Sequence, residues 1–177
     1  MSAADPRPIR IPEHALVILV GISGSGKSTF ARRHFAADEV LSSDRFRALV
    51  SGDEADQAAT QEAFRRLHEA LDDRLAQGLP TVVDATSTQT WARRKLLDAA
   101  RRAGRPVVAI VLDLPLETCL ERNAGRTHRH VPPRAVRRQE RELRASLREM
   151  DDEAYDARRV LREVPEIEAV TVLRETA

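Results

Sequence analysis

The fold of this chain is decided by the stretch Gly21-Ile22-Ser23-Gly24-Ser25-Gly26-Lys27-Ser28-Thr29. The stretch matches the pattern G-x-x-x-x-G-K-[ST] of a phosphate-binding P-loop at every fixed position. An apolar run at 15–20 precedes it and a segment that permits a helix, 29–37, follows it, which is the order of strand, loop and helix that the motif requires. The sequence therefore predicts a P-loop here, in preference to a simple Gly-Ser turn.

The residue types of this stretch explain how it would hold a triphosphate. Glycines let backbone N–H groups curl around phosphates without an obstructing Cβ, and the donors converge where the next helix begins and its dipole favours negative charge. We expect Lys27 to reach the β- and γ-phosphates of ATP or another NTP, and the Ser28 hydroxyl to ligate Mg²⁺ or Mn²⁺. The predicted nucleotide-binding residues are Gly21, Ser23, Gly24, Ser25, Gly26, Lys27, Ser28 and Thr29.

Composition limits the classes of protein to which the chain can belong. Its 177 residues suit one α/β domain, and no apolar stretch approaches about 18 residues, so neither a membrane span nor a membrane partner is predicted. The single cysteine, Cys119, excludes an intrachain disulfide and indicates the cytoplasm. Because the net charge is only +1, any contact with nucleic acid must come from local clusters of arginine.

Strands and helices are predicted to alternate along the chain. Residues 1–14, with three prolines, are predicted to form a loose leader, and 15–177 a single domain. Strands separated by helices predict a parallel sheet with right-handed crossovers, so the fold class is α/β with a central parallel sheet flanked by helices. The predicted strands cover 15–20, 39–44, 81–84, 106–114, 158–162 and 169–173, and an amphipathic helix between the second and third carries Phe64, Leu67, Leu71 and Leu75.

Two aspartates follow predicted strands at the edge where parallel sheets bind ligands. Asp44 ends the second predicted strand, where it is either a catalytic base or the N-cap of the helix that follows. Asp84 ends the third, as a Walker B aspartate does, and would hold the metal through water, although capping or a turn is an equal alternative. Both carboxylates are expected to meet the P-loop at this edge.

Arginines are concentrated at about 122–133. Arg122, Arg126 and Arg129 are spaced by four and three residues, with Gly125 between the first two. One interpretation is a lid that brings guanidinium groups to the γ-phosphate as charge shifts in the transition state. The other is a solvated basic loop, which is what most charge runs are.

Four elements in order resemble the 5′-OH polynucleotide kinase module of bacterial polynucleotide kinase-phosphatase end-healing enzymes. The likeness extends from about Leu16 to at least Pro132 and implies a P-loop kinase fold with an arginine-rich lid at about 122–133. The elements are the P-loop with Phe30, Ser42-Ser43-Asp44-Arg45-Phe46-Arg47, Val82-Val83-Asp84-Ala85-Thr86, and Glu121-Arg122-Asn123-Ala124-Gly125-Arg126-Thr127-His128-Arg129.

The resemblance implies a role for each matching residue. Asp44 would be the general base on the 5′-OH, and Arg47 would bind the phosphate next to the acceptor nucleoside. Arg122 and Arg129 would touch the donor phosphates, which makes the implied catalytic set Asp44, Lys27, Arg122 and Arg129, with Arg126 as a further nucleotide-binding residue. The chain departs from the family at Ser87, where the family has asparagine, and it lacks the phosphatase and ligase modules. It would be either a stand-alone kinase or an excised domain.

The predicted function is Mg²⁺-dependent transfer of the γ-phosphate of an NTP to 5′-OH ends of RNA or DNA in nucleic-acid repair. A small-metabolite kinase of the same fold and a nucleotide-binding switch or adaptor are the alternatives. Arg47, three residues after Asp44, favours an acceptor that carries a phosphate, and a carboxylate facing the acceptor disfavours a pure switch. The sequence leaves open the choice between RNA and DNA, and whether the chain forms a homodimer or joins other repair modules.

Overall fold

A parallel sheet lies at the centre of the computed structural model, which describes residues 7–52, 59–127 and 129–176. Five strands form this sheet in the spatial order β3-β4-β2-β5-β6, and all four pairings between neighbours are parallel. The predicted fold class, a central parallel sheet flanked by helices, is confirmed. The strands within these ranges are β1 (Ile9–Pro12), β2 (Leu16–Val20), β3 (Val40–Ser42), β4 (Thr81–Asp84), β5 (Val107–Leu112), β6 (Ala157–Leu161) and β7 (Val172–Glu175).

Helices cover both faces of the sheet, which explains why its central strands are apolar throughout. Every residue of β2 and of β5 is buried, as expected for parallel strands packed on two sides. The helices are α1 (Lys27–His34), α2 (Ser43–Ser51), α3 (Thr60–Ala76), α4 (Thr90–Arg102), α5 (Leu116–Ala124), α6 (Pro133–Ser146) and α7 (Val164–Ala169).

Helix α3 is the amphipathic helix that the leucine spacing predicted. Leu67, Leu71 and Leu75 are fully buried against the core, and Phe64 packs at its margin. The helix ends two residues before Gly78, which adopts a left-handed φ of +71° that a residue with a Cβ rarely accepts. The 3.6-residue period of the apolar side chains was therefore sufficient to predict both its type and its buried face.

The structure corrects the predicted loose leader over residues 9–12. These residues form β1, which pairs in parallel with β7 in a separate two-stranded sheet. Ile9 and Ile11 are buried, with exposed Arg10 between them, so the strand follows a two-residue alternation. Pro12 lies at the strand end, where a missing N–H is tolerated. Residues 1–6 of the predicted leader lie outside the described residues.

The C-terminal region differs from its prediction in one element. The predicted strand at 158–162 corresponds to β6, but the region around Pro165 is helix α7 rather than a simple joint between strands. Pro165 sits in the first turn of α7, where the missing N–H has no helical partner to lose. The final strand, β7, consequently starts at Val172 instead of residue 169.

Across the described parts of the chain, none of the helices combines the length and apolar character needed to cross a lipid bilayer.

Candidate active site

The predicted P-loop connects the buried end of β2 to the first residue of α1. Gly24 and Gly26 have φ values of +88° and +100°, in the left-handed region that glycine adopts without steric cost. A Cβ on Gly24 would also overlap the backbone carbonyl of Cys119 in α5, so the loop lies directly against that helix. These two glycines hold a conformation that alanine could not reproduce.

Backbone N–H groups of the loop are held by neighbouring elements. The Gly21 N–H donates to the carbonyl of Thr86, after β4, at 3.0 Å, and the Ser23 N–H donates to Oε1 of Gln139 in α6 at 2.9 Å. Gln139 was not among the site residues predicted from the sequence. A signal was present, because Gln139 follows Val136 by three residues and precedes Leu143 by four, which places a neutral polar side chain on the buried face of α6.

Lys27 lies folded back over the loop. Its side chain is buried, and Nζ donates to the carbonyl of Ile22 at 3.0 Å and to Oγ of Ser25 at 3.4 Å. Burial lowers the pKa of Lys27 to about 8, and the nearby carboxylate of Asp84 opposes this only in part. The ammonium group is thus held, weakly solvated, beside the position that the motif assigns to the phosphates.

The lowered pKa of Lys27 predicts that ATP binding takes up a proton. Because its pKa is lowered to about 8, a larger fraction of Lys27 than of an ordinary lysine is neutral near this pH. Phosphates favour the ammonium form and raise its pKa, so we expect ATP binding to take up a fraction of a proton near pH 8 and less at pH 6.5, and to weaken as the pH rises above 8. Calorimetry in buffers of different ionisation enthalpy measures this uptake. Lys27→Met should lose it and Lys95→Met should keep it; equal uptake in both variants would contradict the assignment.

Ser28 and Asp84 form a pair of oxygen ligands at the start of α1. The Ser28 hydroxyl donates to Oδ2 of Asp84 at 2.7 Å, and Asp84 is buried at the end of β4, in register with Leu19 of β2. A hydroxyl and a carboxylate oxygen suit Mg²⁺, which binds few protein ligands and keeps water and phosphate oxygens. The two residues therefore fit the predicted metal site. Thr29, the next residue, is exposed, and its hydroxyl accepts a hydrogen bond from Arg32 at 3.3 Å.

Asp44 lies in the first turn of α2 and is not its N-cap. The predicted strand ends at Ser42, whose hydroxyl accepts from the Arg45 N–H at 3.5 Å and so caps the helix. The two carboxylate oxygens of Asp44 accept from different guanidinium groups: Oδ1 from Nη2 of Arg47 and Oδ2 from Nη1 of Arg129. Asp44 therefore does not cap the helix, and two arginines contact its carboxylate.

The segment predicted as a lid, about 122–133, is only partly a loop: it starts in the last turn of α5, reaches the first residue of α6, and its loop is closed at the base by Asn123. The buried Asn123 side chain donates from Nδ2 to the carbonyl of Val131 at 2.7 Å and accepts from the Val131 N–H at 3.2 Å. Arg129 extends from this loop to Asp44, and its Nε is buried with no hydrogen-bond partner among the residues described. One donor of Arg129 is therefore left for an anion. His128, which the resemblance included, lies outside the described residues.

The other two lid arginines lie near the P-loop. An added Cβ at Gly26 would stand 3.6 Å from Nη1 of Arg122, so this guanidinium borders the start of α1. Arg126 is half-buried, and its charge contributes to the lowered pKa of Lys27. The structure thus brings Arg122 and Arg126 to the P-loop, whereas Arg129 contacts Asp44.

Arg93, a buried arginine that was not predicted as a site residue, holds the loop after β4. Arg93 of α4 is fully buried and donates from Nη1 to the carbonyls of Ser87 at 3.0 Å and Thr88 at 3.1 Å, while Nη2 pairs with Glu153 at 2.6 Å. Ser87 has a left-handed φ of +49°, a conformation that asparagine adopts more readily than serine. The sequence did carry a signal for Arg93, because its charged side chain is on the same helix face as the buried Leu96 and Leu97.

Two proteins whose names refer to a polynucleotide kinase or to RNA repair are similar to the chain. A viral protein named "Putative bifunctional polynucleotide kinase/RNA ligase", from Autographa californica nuclear polyhedrosis virus, is 26% identical over 146 residues, covering 74% of this chain and 21% of the viral protein. The chain thus spans about a fifth of that relative's length. A chain of the Pnkp1/Rnl/Hen1 RNA repair complex superposes with a TM-score of 0.65 at 22% identity, over 83% of this chain and 49% of that one.

A small-molecule kinase is also similar, and a family match covers most of the chain. The structure of a sugar kinase from Janibacter sp. HTCC2649 superposes with a TM-score of 0.58 at 24% identity, over 87% of this chain and 90% of that one. At these identities the solved structures establish the P-loop kinase fold and nothing finer. A family model described as AAA domain matches residues 16–150. This match covers well over half of the chain, and the chain therefore belongs to the AAA_33 family of AAA domains.

Proposed function

We propose that the protein transfers the γ-phosphate of ATP, or of another NTP, to the 5′-hydroxyl end of a polynucleotide. The observation that carries the proposal is the ion-paired group of Asp44, Arg47 and Arg129 beside the P-loop. It combines a carboxylate that can accept a proton with a buried guanidinium that can bind an acceptor phosphate. The family match and the kinase fold support phosphotransferase activity, and the likeness to the viral protein supports the polynucleotide acceptor.

On the donor side, the chain supplies positioning and positive charge, which is most of what phosphoryl transfer requires. The P-loop N–H groups and Lys27 would hold the β- and γ-phosphates, and Arg122 and Arg126 would add charge from the lid. Ser28, with Asp84 through water, would hold Mg²⁺, which neutralises phosphate charge when bound. The Lys27 ammonium has three N–H donors; the Ile22 carbonyl and the Ser25 hydroxyl accept two of them, which leaves one for a phosphate oxygen.

On the acceptor side, Asp44 would act as the general base. The 5′-oxygen bonds to the γ-phosphorus, its proton passes to the Asp44 carboxylate, and the bond from phosphorus to the β,γ-bridging oxygen breaks with its electron pair left on ADP. Arg129 is ion-paired with Asp44. The anionic phosphates of a bound nucleotide would compete with Asp44 for this guanidinium, whose Nε has no protein partner in the described residues.

We expect the lid arginines to affect turnover unequally. Arg122→Ala and Arg129→Ala should each lower kcat at saturating ATP by about 10- to 100-fold, the usual worth of a charged hydrogen bond, and Arg126→Ala should matter less. Arg134→Ala, which removes an exposed arginine from α6, is the matched control. An ATP analogue with Mg²⁺ should also protect the loop at 124–132 from trypsin. Unchanged cleavage together with unchanged kcat would count against a closing lid.

The acceptor is tested by comparing a nucleoside with its 3′-monophosphate. If Arg47 binds the phosphate next to the reacting hydroxyl, the 3′-phosphate should be used well and the bare nucleoside poorly. Arg47→Ala should reduce the difference in kcat/KM between the nucleoside and its 3′-monophosphate. It should also lower kcat/KM on oligonucleotides by the equivalent of about 1.5–3 kcal/mol. Because Arg47 is buried, Arg47→Lys and a thermal melt of both variants separate lost binding from lost folding. Equal use of nucleoside and 3′-phosphate by the wild type would remove the polynucleotide assignment.

A small-metabolite kinase is the second candidate. The similar sugar kinase is matched over nearly its whole length, whereas the proteins named for a polynucleotide kinase or for RNA repair are matched over a half or less of theirs. A panel of sugar acids, sugars and nucleosides in the same labelled-ATP assay distinguishes the two acceptor classes. A nucleotide-binding switch or adaptor would instead hydrolyse ATP slowly whichever acceptor is added. As a polynucleotide kinase, the protein would act in nucleic-acid repair in the cytoplasm. The single cysteine supports the cytoplasmic location.

A further inference from the structure

An open cleft of about 1480 Å³ extends from the loop after β4 to the surface between α3 and α4. Ala85, Thr86 and Ser87 line its inner end, and the carbonyl of Thr86 accepts from the Gly21 N–H, so this end adjoins the P-loop. Trp91 and Lys95 of α4 line its wall. The cleft therefore begins at the loop that directly follows Asp84 and lies next to Gly21, the first residue of the P-loop.

Trp91 is the single tryptophan of the chain and is 59% exposed, although tryptophan is usually well buried. The ammonium of Lys95, one turn further along α4, lies 5.2 Å from the centroid of the indole ring. An aromatic face beside a positive charge is the combination that proteins use to stack a base and attract its phosphate. Neither feature takes part in holding the core or the P-loop.

The charges of the cleft favour a base over a long run of phosphates. Its carboxylates are paired with arginines, such as Asp72 with Arg102 at 3.1 Å and Asp98 with Arg101 at 3.1 Å. Glu62, Glu69 and Glu142 are paired likewise. Among the described lysines and arginines that line the cleft, Lys95 is the one without an ion pair. The cleft thus offers one aromatic surface and one unpaired positive charge rather than a basic track.

We propose that Trp91 stacks on a nucleobase of the acceptor strand, one of the first nucleotides beyond the reacting one, while Lys95 attracts its phosphate. This inference rests on the proposed polynucleotide kinase function. Trp91 follows Thr86 by five residues, so its Cα lies at most about 18 Å from that of Thr86. A strand leaving the active site along the cleft reaches the indole within a few nucleotides.

The test is the dependence of kcat/KM on acceptor length. The acceptors are a nucleoside 3′-monophosphate and 5′-OH oligonucleotides of two, three, four and six residues. In the wild type, kcat/KM should rise by about 5- to 150-fold at the length that first reaches Trp91, the range expected for stacking one base. Trp91→Ala should lose this rise and Trp91→Phe should keep most of it. Leu173→Ala, which removes an exposed apolar side chain from β7, should retain the full rise.

Fluorescence gives a second measurement, because the indole of Trp91 is the only one in the protein. A six-residue oligonucleotide should quench this emission in the presence of a non-hydrolysable ATP analogue, and an abasic strand of equal length should not. A length dependence that is the same in Trp91→Ala, or equal quenching by the abasic strand, would overturn the base subsite. If the wild type phosphorylates none of the acceptors, the polynucleotide function itself fails, which is a distinct result.

Discussion

Lys27→Ala and Ser28→Ala are each expected to reduce phosphate transfer by about 10²-fold or more, since each removes a preorganised contact to developing charge. Lys27 contributes a buried ammonium that is already held within the loop, and the other lysine of the chain, Lys95, lies on α4 beside Trp91. Ser28 contributes the hydroxyl that lies 2.7 Å from Asp84. Its loss should remove a metal ligand and leave the Asp84 carboxylate without that hydrogen bond.

The two variants should differ in their response to the metal. Ser28→Ala should need a higher Mg²⁺ concentration for half-maximal activity, whereas Lys27→Ala should lose kcat with little change in Mg²⁺ dependence. Labelled-ATP transfer over a Mg²⁺ series measures both, after a thermal melt has shown that each variant is folded. Arg32→Ala is the control, because it removes an exposed cation from the same helix. Near-normal turnover in either folded variant would exclude the P-loop from the mechanism.

The centre of the fold could be predicted because its signals are local. The P-loop pattern specifies strand, loop and helix within fifteen residues, and the spacing of Leu67, Leu71 and Leu75 specifies a helix face. Alternation of such elements then determines a parallel sheet. The pairing of β1 with β7 was not accessible in this way, because it joins residues about 160 positions apart and its four-residue strands carry little pattern.

The candidate site was predicted as a set of residues but not as a set of contacts. Lys27, Ser28 and Asp84 were expected to meet and do so, because motif and topology together fix their positions. The contact between Arg129 and Asp44 depends on how the loop closed by Asn123 folds back on α2, which no local pattern specifies. Gln139 and Arg93 were missed for a related reason, since buried polar side chains on apolar helix faces are recognised only when their partners are known.

The role of Asp44 as a general base, with its carboxylate in contact with two arginines, can be tested by substitution. Asp44→Asn keeps the shape of the side chain, but an amide cannot accept the proton of the 5′-hydroxyl. We expect kcat to fall by about 10²- to 10⁴-fold, the usual contribution of general acid–base catalysis. The Kd for ATP should stay within a few-fold, because the P-loop and the Ser28–Asp84 pair are untouched. Calorimetry and labelled-ATP transfer measure the two quantities separately.

Asp44→Asn should also release the lid, because the amide no longer offers an anionic partner to Arg129. Trypsin should then cut the loop at 124–132 faster without nucleotide than it does in the wild type, and an ATP analogue should restore protection. Asp38→Asn, which changes an exposed carboxylate before β3, should leave both turnover and cleavage unaltered. Retained turnover at saturating ATP with weakened ATP binding would make Asp44 a residue that supports the nucleotide site. In that case the acceptor's proton must pass to another group.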